Sequence, residues 1–235
     1  MLSSLLMFAL SGAYALQPPG NFHQEEAVAR HGERWLALRV QADDARLETA
    51  RLRVKTVFDE IVDAEGQATG SEVGSDKTDV VTYLRGTDLH AGPVLRARIE
   101  DTADGGDPIA RTLVLGDKIY RLATRCDVAG PAVEGGAVEG GLLCAIDLIE
   151  GGRSQALVRM SGQRNRGDAG MSLWLGDDAS PGLIFAGDLD RDGKLDLIFD
   201  TSDHYNLTRP VLFLSGAAEG DELLHAVAEH SAVGC

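Results

Sequence analysis

With 235 residues, 44% hydrophobic and 25% charged, the chain can bury a core as one domain or two small ones and is too apolar for disorder throughout. Its 37 acidic against 22 basic residues give a formal charge of −15. Such a surface repels phosphate backbones, which argues against nucleic acid as a partner, and it draws cations to any cluster of carboxylates.

The chain opens with a short apolar run, Leu5 to Leu10, then Ser11-Gly12 and Ala13-Tyr14-Ala15. The small residues Ala13 and Ala15 fit a signal-peptidase site, so residues 1–15 are expected to form a signal peptide cleaved after Ala15, although no Lys or Arg precedes the run. A run this short cannot cross about 30 Å of hydrocarbon, and no later stretch is long and apolar enough. No transmembrane span is expected. The destination is periplasmic or extracellular.

Beyond Ala15, two segments could each form a turn or two of helix, Gln24–His31 and Asp43–Ala50, neither with a long apolar stripe. The dominant signal elsewhere is short strands. Leu36, Leu38 and Val40 alternate with Ala37 and Arg39, and Leu52, Val54 and Thr56 alternate among Arg51, Arg53 and Lys55. That period of two marks half-buried strands. Asp79–Leu84, Pro93–Ile99 and Leu143–Ile149 are further strands. Gly116-Asp117 separates Thr112–Leu115 from Lys118–Leu122, and Gly in the first turn position suits a type II′ hairpin. Gly151-Gly152 turns a second hairpin between Leu143–Ile149 and Gln155–Met160. Glu65–Lys77, Asp127–Gly141 and Ser161–Gly170 read as surface loops. The last separates a β-rich region, 16–165, from a C-terminal β region, 168–235, unless 20–235 is one continuous domain. Trp35 and Trp174 fall in strands and are expected in the core. The expected fold is mainly β, an antiparallel sandwich or partial barrel.

Cys126 and Cys144 bracket the Gly- and Ala-rich segment, and a disulfide between them would contribute about 3 kcal/mol by loop closure. Cys235 is left over. Its pairing with either cysteine, or with a second chain, stays open because connectivity is not legible in sequence.

Near the C-terminus the chain reads Asp188-Leu189-Asp190-Arg191-Asp192-Gly193-Lys194-Leu195-Asp196. Three alternating aspartates, a glycine for the sharp turn and a spaced fourth aspartate suit a hard cation that collects six to eight oxygens. An EF-hand would need Glu at the twelfth loop position, where Phe199 stands. The flanks are strand-like: Gly182–Ala186 is a compact apolar run, and Leu195, Leu197 and Phe199 alternate with Asp196, Ile198 and Asp200. This strand–loop–strand segment, Gly187 to Ile198, resembles the calcium loops of FG-GAP and VCBS-type repeats of integrin-like propellers. The resemblance implies a bound Ca²⁺ with Asp188, Asp190, Asp192, the carbonyl of Lys194 and Asp196 as ligands. It covers one loop only, so a complete propeller is not expected.

No catalytic pattern emerges. Ser202-Asp203-His204 holds three triad residue types, but a triad is assembled across a fold, not by adjacency. Arg166-Gly167-Asp168 is an adhesion tripeptide too short to weigh, and Asn206-Leu207-Thr208 is a glycosylation sequon. His225 and His230 lack zinc-ligand spacing and are expected to be solvated. The preferred expectation is an exported, calcium-stabilised β protein that binds a protein or carbohydrate partner. An exported hydrolase with a structural calcium is the alternative.

Overall fold

The computed structural model describes residues 13–42, 44–101, 107–128, 141–167 and 170–234. The expected signal segment up to Gly12, most of the 127–141 loop, Asp168 and Cys235 lie outside them. In chain order the strands are β1 Ala15–Gln17, β2 Gly20–Phe22, β3 Arg34–Gln41, β4 Asp44–Arg51, β5 Arg53–Val57, β6 Gly70–Gly74 and β7 Val80–Arg85. Next come β8 Gly92–Arg96, β9 Arg98–Asp101, β10 Arg111–Leu115, β11 Lys118–Val128, β12 Leu142–Glu150, β13 Arg153–Gly167 and β14 Gly170–Leu175. The last are β15 Gly182–Asp188, β16 Asp196–Asp200, β17 Leu207–Thr208, β18 Pro210–Leu214, β19 His225–Glu229 and β20 Ala232–Val233. The protein is mainly β, as its period-two patterning requires.

Nine strands form one antiparallel sheet in the order β1-β7-β3-β4-β8-β15-β16-β18-β19, curled until it nearly closes. Across the seam Gln17, fully buried, donates from Nε2 to Nε2 of buried His230 at 3.3 Å. Inside the curl, Leu38, Leu47, Leu84, Phe185, Ile198 and Leu212 make one core. A second sheet is a plain meander, β9 to β14 in sequence order, forming a half barrel. Its Leu113, Leu122, Ile146 and Leu148 pack against Leu197, Phe199 and Phe213 on the outside of the first sheet. The chain passes between the sheets at Ala97, whose N–H donates to Ala186 O at 3.0 Å. The expected strand Pro93–Ile99 is therefore two strands, one in each sheet.

β16 is covered on both sides, so alternation in it decides which core each residue enters. Leu197 and Phe199 point to the meander, and Ile198 points into the curl along with Asp196. Cys126 and Cys144 stand opposite each other on β11 and β12 and form a disulfide, Cα–Cα 4.0 Å. In the hairpin at Gly116-Asp117 only Gly116 takes a positive φ, +61°, as a type II′ turn requires. At Gly151-Gly152 both do, which makes that turn type I′.

Several expectations need correction. The expected helical segment Asp43–Ala50 is instead occupied by strand β4, Asp44–Arg51. Its Ala, Glu, Leu and Arg favour helix locally, but Ala45 and Leu47 are buried inside the curl and sheet pairing overrides propensity. Of Gln24–His31 only Gln24–Glu26 is helical, as one 3₁₀ turn. The 65–77 loop contains β6, which pairs with both β2 and β5 in a small sheet. That sheet buries Val73 beside Trp35, Ala37 and Tyr83. Ser161–Gly167 continues β13 and pairs with β14, since a backbone ladder does not need apolar side chains. Trp174 is 50% exposed on β14, because that strand is an edge of the meander. His230 is buried, not solvated, because it fills the barrel seam beside the ring of Phe22.

Candidate metal centre

β15 ends at Asp188 and β16 begins at Asp196, so the aspartate loop closes a hairpin at one end of the curled sheet. Two buried leucines anchor it, Leu189 in the inner core and Leu195 in the core shared with the meander. Between them residues 191–194 are exposed. Gly193 adopts φ +79°, a conformation that L side chains rarely take. Gly187 is required for another reason: a Cβ there would lie 2.6 Å from Leu95 O. Arg191 also has a positive φ, +68°, and its guanidinium turns away from the aspartates to donate to His90 O at 2.9 Å.

Asp188, Asp190 and Asp196 converge, each offering an oxygen within 4.8 Å of the others. Asp188 is buried. Its Oδ2 accepts from Gly193 N at 3.1 Å, and its Oδ1 has no hydrogen-bond partner. A buried carboxylate oxygen left unpaired carries a penalty of a few kcal/mol unless something else meets it. Asp190 accepts one bond on each oxygen, from Asp192 N and from Gly216 N, both at 3.1 Å, so each keeps a lone pair free.

Asp196 is fully buried and differently placed. Its Oδ2 accepts from Leu189 N at 2.6 Å and Asp190 N at 3.2 Å. Its Oδ1 accepts from Ser215 N at 2.8 Å and Ser215 Oγ at 3.0 Å. Three backbone N–H groups, together with the single Ser215 hydroxyl proton that it shares with Asp192, occupy its lone pairs and tie the loop to the end of β18. Asp192 stands to one side, with Oδ1 held by Lys194 N at 2.8 Å and Ser215 Oγ at 2.9 Å, and Lys194 Nζ 3.4 Å from Oδ2. The expected ligand set thus divides: three carboxylates meet, Asp192 engages Ser215 and Lys194, and the loop backbone is pinned by Lys118 Nζ on Gly193 O at 3.2 Å.

No Lys, Arg or His among the described residues forms an ion pair with Asp188, Asp190 or Asp196. Burial, more than any neighbouring charge, pushes the Asp196 carboxyl up to about 7, and the charge of Asp190 adds to it. Asp190 is also raised, by desolvation first and then by Asp192 and Asp188, against the lowering effect of its backbone donors. All these donor atoms are oxygens, the chemistry of a hard cation such as Ca²⁺ or Mg²⁺.

Ser215 and Gly216 were not legible as site residues. They follow the apolar strand β18, far along the chain, and carry no local signal. Gly216 matters because a Cβ there would stand 2.4 Å from Asp190 Oδ2. The other motifs do not assemble. Asp203 lies 3.3 Å from Arg209 Nη2, His204 lies 3.3 Å from Asp177, and Ser202 is buried with its N–H donating to Asp200. Leu207 and Thr208 of the sequon form β17, paired with β20. Comparison of the chain with protein-family models, with curated proteins and with solved structures finds no match.

Proposed function

We propose that this protein is an exported, calcium-stabilised β protein whose aspartate loop holds one Ca²⁺ to brace a surface used for binding or adhesion. The observation that carries the metal reading is the buried, unpartnered Oδ1 of Asp188, on a carboxylate that converges with those of Asp190 and Asp196, none of which is ion-paired with a Lys, Arg or His among the described residues. Asp188 and Asp190 have lone pairs free to ligate. Asp196 supplies negative charge beneath them and joins the shell by releasing a donor. Asp192 and the Lys194 carbonyl complete the set that the FG-GAP and VCBS-type resemblance implies, with water for the remainder. Calcium is favoured over magnesium because an irregular, partly carbonyl and partly water shell suits the larger ion, whereas magnesium demands near-ideal octahedral geometry.

Export is supported by the Cys126–Cys144 disulfide, since such bonds persist in oxidising compartments, and by the signal-like segment at the N-terminus. Extracellular calcium is millimolar, so an affinity of only ~10⁻⁴–10⁻³ M keeps such a site filled and makes the ion a structural part rather than a signal. Thermal unfolding with calcium and with chelator, beside titration calorimetry, tests the reading. Asp190→Ala is expected to abolish the calcium-dependent rise in melting temperature, and Asp203→Ala to preserve it. No rise and no heat of binding in the native protein would remove the proposal.

A further inference from the structure

We propose a second, separate site: an arginine-lined cleft at the β3–β4–β5 end that binds a small dianion, a dicarboxylate or a sulfate-type group. Arg34 and Arg51 stand directly opposite each other in the β3–β4 ladder. Side chains so placed share one face with Cβ atoms about 5 Å apart, and like charges there repel. Arg53 lies two residues on, and the three line a shallow, solvent-open cleft of about 870 Å³ that also contains His31 and Asp76.

None of the three arginines is neutralised. Among the described residues Arg34, Arg51 and Arg53 form no ion pair, in a chain with a large acidic excess. The nearest acids in sequence are committed elsewhere. Glu33 accepts from Trp35 Nε1 at 2.9 Å and from Arg30 N, and Glu48 is held by Arg39, Arg46 and Lys77. Two of the guanidiniums are also oriented: Arg51 Nε donates to Gly32 O at 3.1 Å, and Arg53 Nη2 donates to Ser75 O. Each uses only part of its five-donor fork and leaves the rest for a planar or tetrahedral oxyanion. Three guanidiniums against the one carboxylate of Asp76 leave two positive charges, which selects a dianion. A long polyanion is disfavoured, because charges running beyond the cleft meet the net negative surface.

The test is melting temperature and calorimetry of the full chain in saturating calcium, so that the aspartate loop stays filled and cannot mimic the effect. Succinate and sulfate are compared with chloride at equal ionic strength. At about tenfold excess over Kd the dianion is expected to raise the melting temperature by about 3–6 °C. Succinate above sulfate identifies a carboxylate ligand, and the reverse a tetrahedral one. Arg34→Gln and Arg51→Gln are each expected to weaken binding by about tenfold or more. Arg34→Gln should melt at or above the native protein without anion, because the cross-strand repulsion is relieved. Arg98→Gln, outside the cleft, should keep full binding. No shift over chloride in the native protein, an equal shift in the Arg34 and Arg51 variants, or tighter binding of dextran sulfate than of either small dianion would overturn the proposal.

Discussion

Comparing calcium with chelator at different pH values probes the aspartate loop most directly. In the metal-free protein the Asp196 carboxyl is raised from 3.8 to about 7. The folded state therefore binds a proton that the unfolded chain has already lost. Stability falls as pH rises through this interval and is level above it. Three pH units at about 1.4 kcal/mol each set an upper bound of about 4 kcal/mol, and Asp190 acts in the same direction. A bound Ca²⁺ keeps both groups ionised and opposes the loss, while protons compete with it at low pH. With about 2 mM calcium and a Kd of ~10⁻⁴–10⁻³ M, saturation contributes roughly 0.6–1.8 kcal/mol, or about 1–7 °C in a chain of this size. The measurement is the difference in melting temperature between calcium and chelator, by differential scanning fluorimetry from pH 5 to pH 8. It should be near zero at the acid end and reach its plateau above pH 7. A calcium shift of constant size across this range would show that these buried carboxylates are not where the ion binds.

Gly216→Ala places a Cβ against Asp190 Oδ2, so this variant should fold yet lose most of the calcium-dependent rise in melting temperature; an unchanged rise would mean that Asp190 is not a ligand. His23 and Asp59 pair side chain to side chain, which raises the histidine and lowers the aspartate. The aspartate's contribution is lost as pH falls below about 4, and the histidine's is lost as pH rises above about 6.5. His23→Gln should therefore be destabilised chiefly between those limits, with the two melting curves converging at alkaline pH. Cys126→Ser should cost about 2–4 kcal/mol in denaturant unfolding under oxidising conditions, and the native protein in reductant should show a loss of similar size.

How much was legible in the chain depends on the range over which each signal acts. Period-two alternation identified most strands, and glycines located two of the meander's hairpin turns, because pleat and turn conformations are set by neighbouring residues. The same local reasoning failed at Asp44–Arg51, where good helix formers were drawn into a sheet by the burial of Ala45 and Leu47. It also failed at Gly70–Gly74, a strand made by partners on both sides more than by its own side chains.

The aspartate loop was readable because its carboxylates and its turn glycine lie within nine residues. By itself the sequence determined that several acids crowd there, that the flanks are strands, and that Asp196 faces away from Leu195 and Leu197. Only the tertiary structure decided how those acids divide. Ser215 and Gly216, brought in by β18, hold Asp190, Asp192 and Asp196, while one oxygen of Asp188 stays buried without a partner. The facing of Arg34 and Arg51 was likewise hidden until β3 and β4 were set in register. Composition and spacing act along the chain, but hydrogen bonds and charge repulsion act through a few ångströms of space, and only folding determines which groups share those few ångströms.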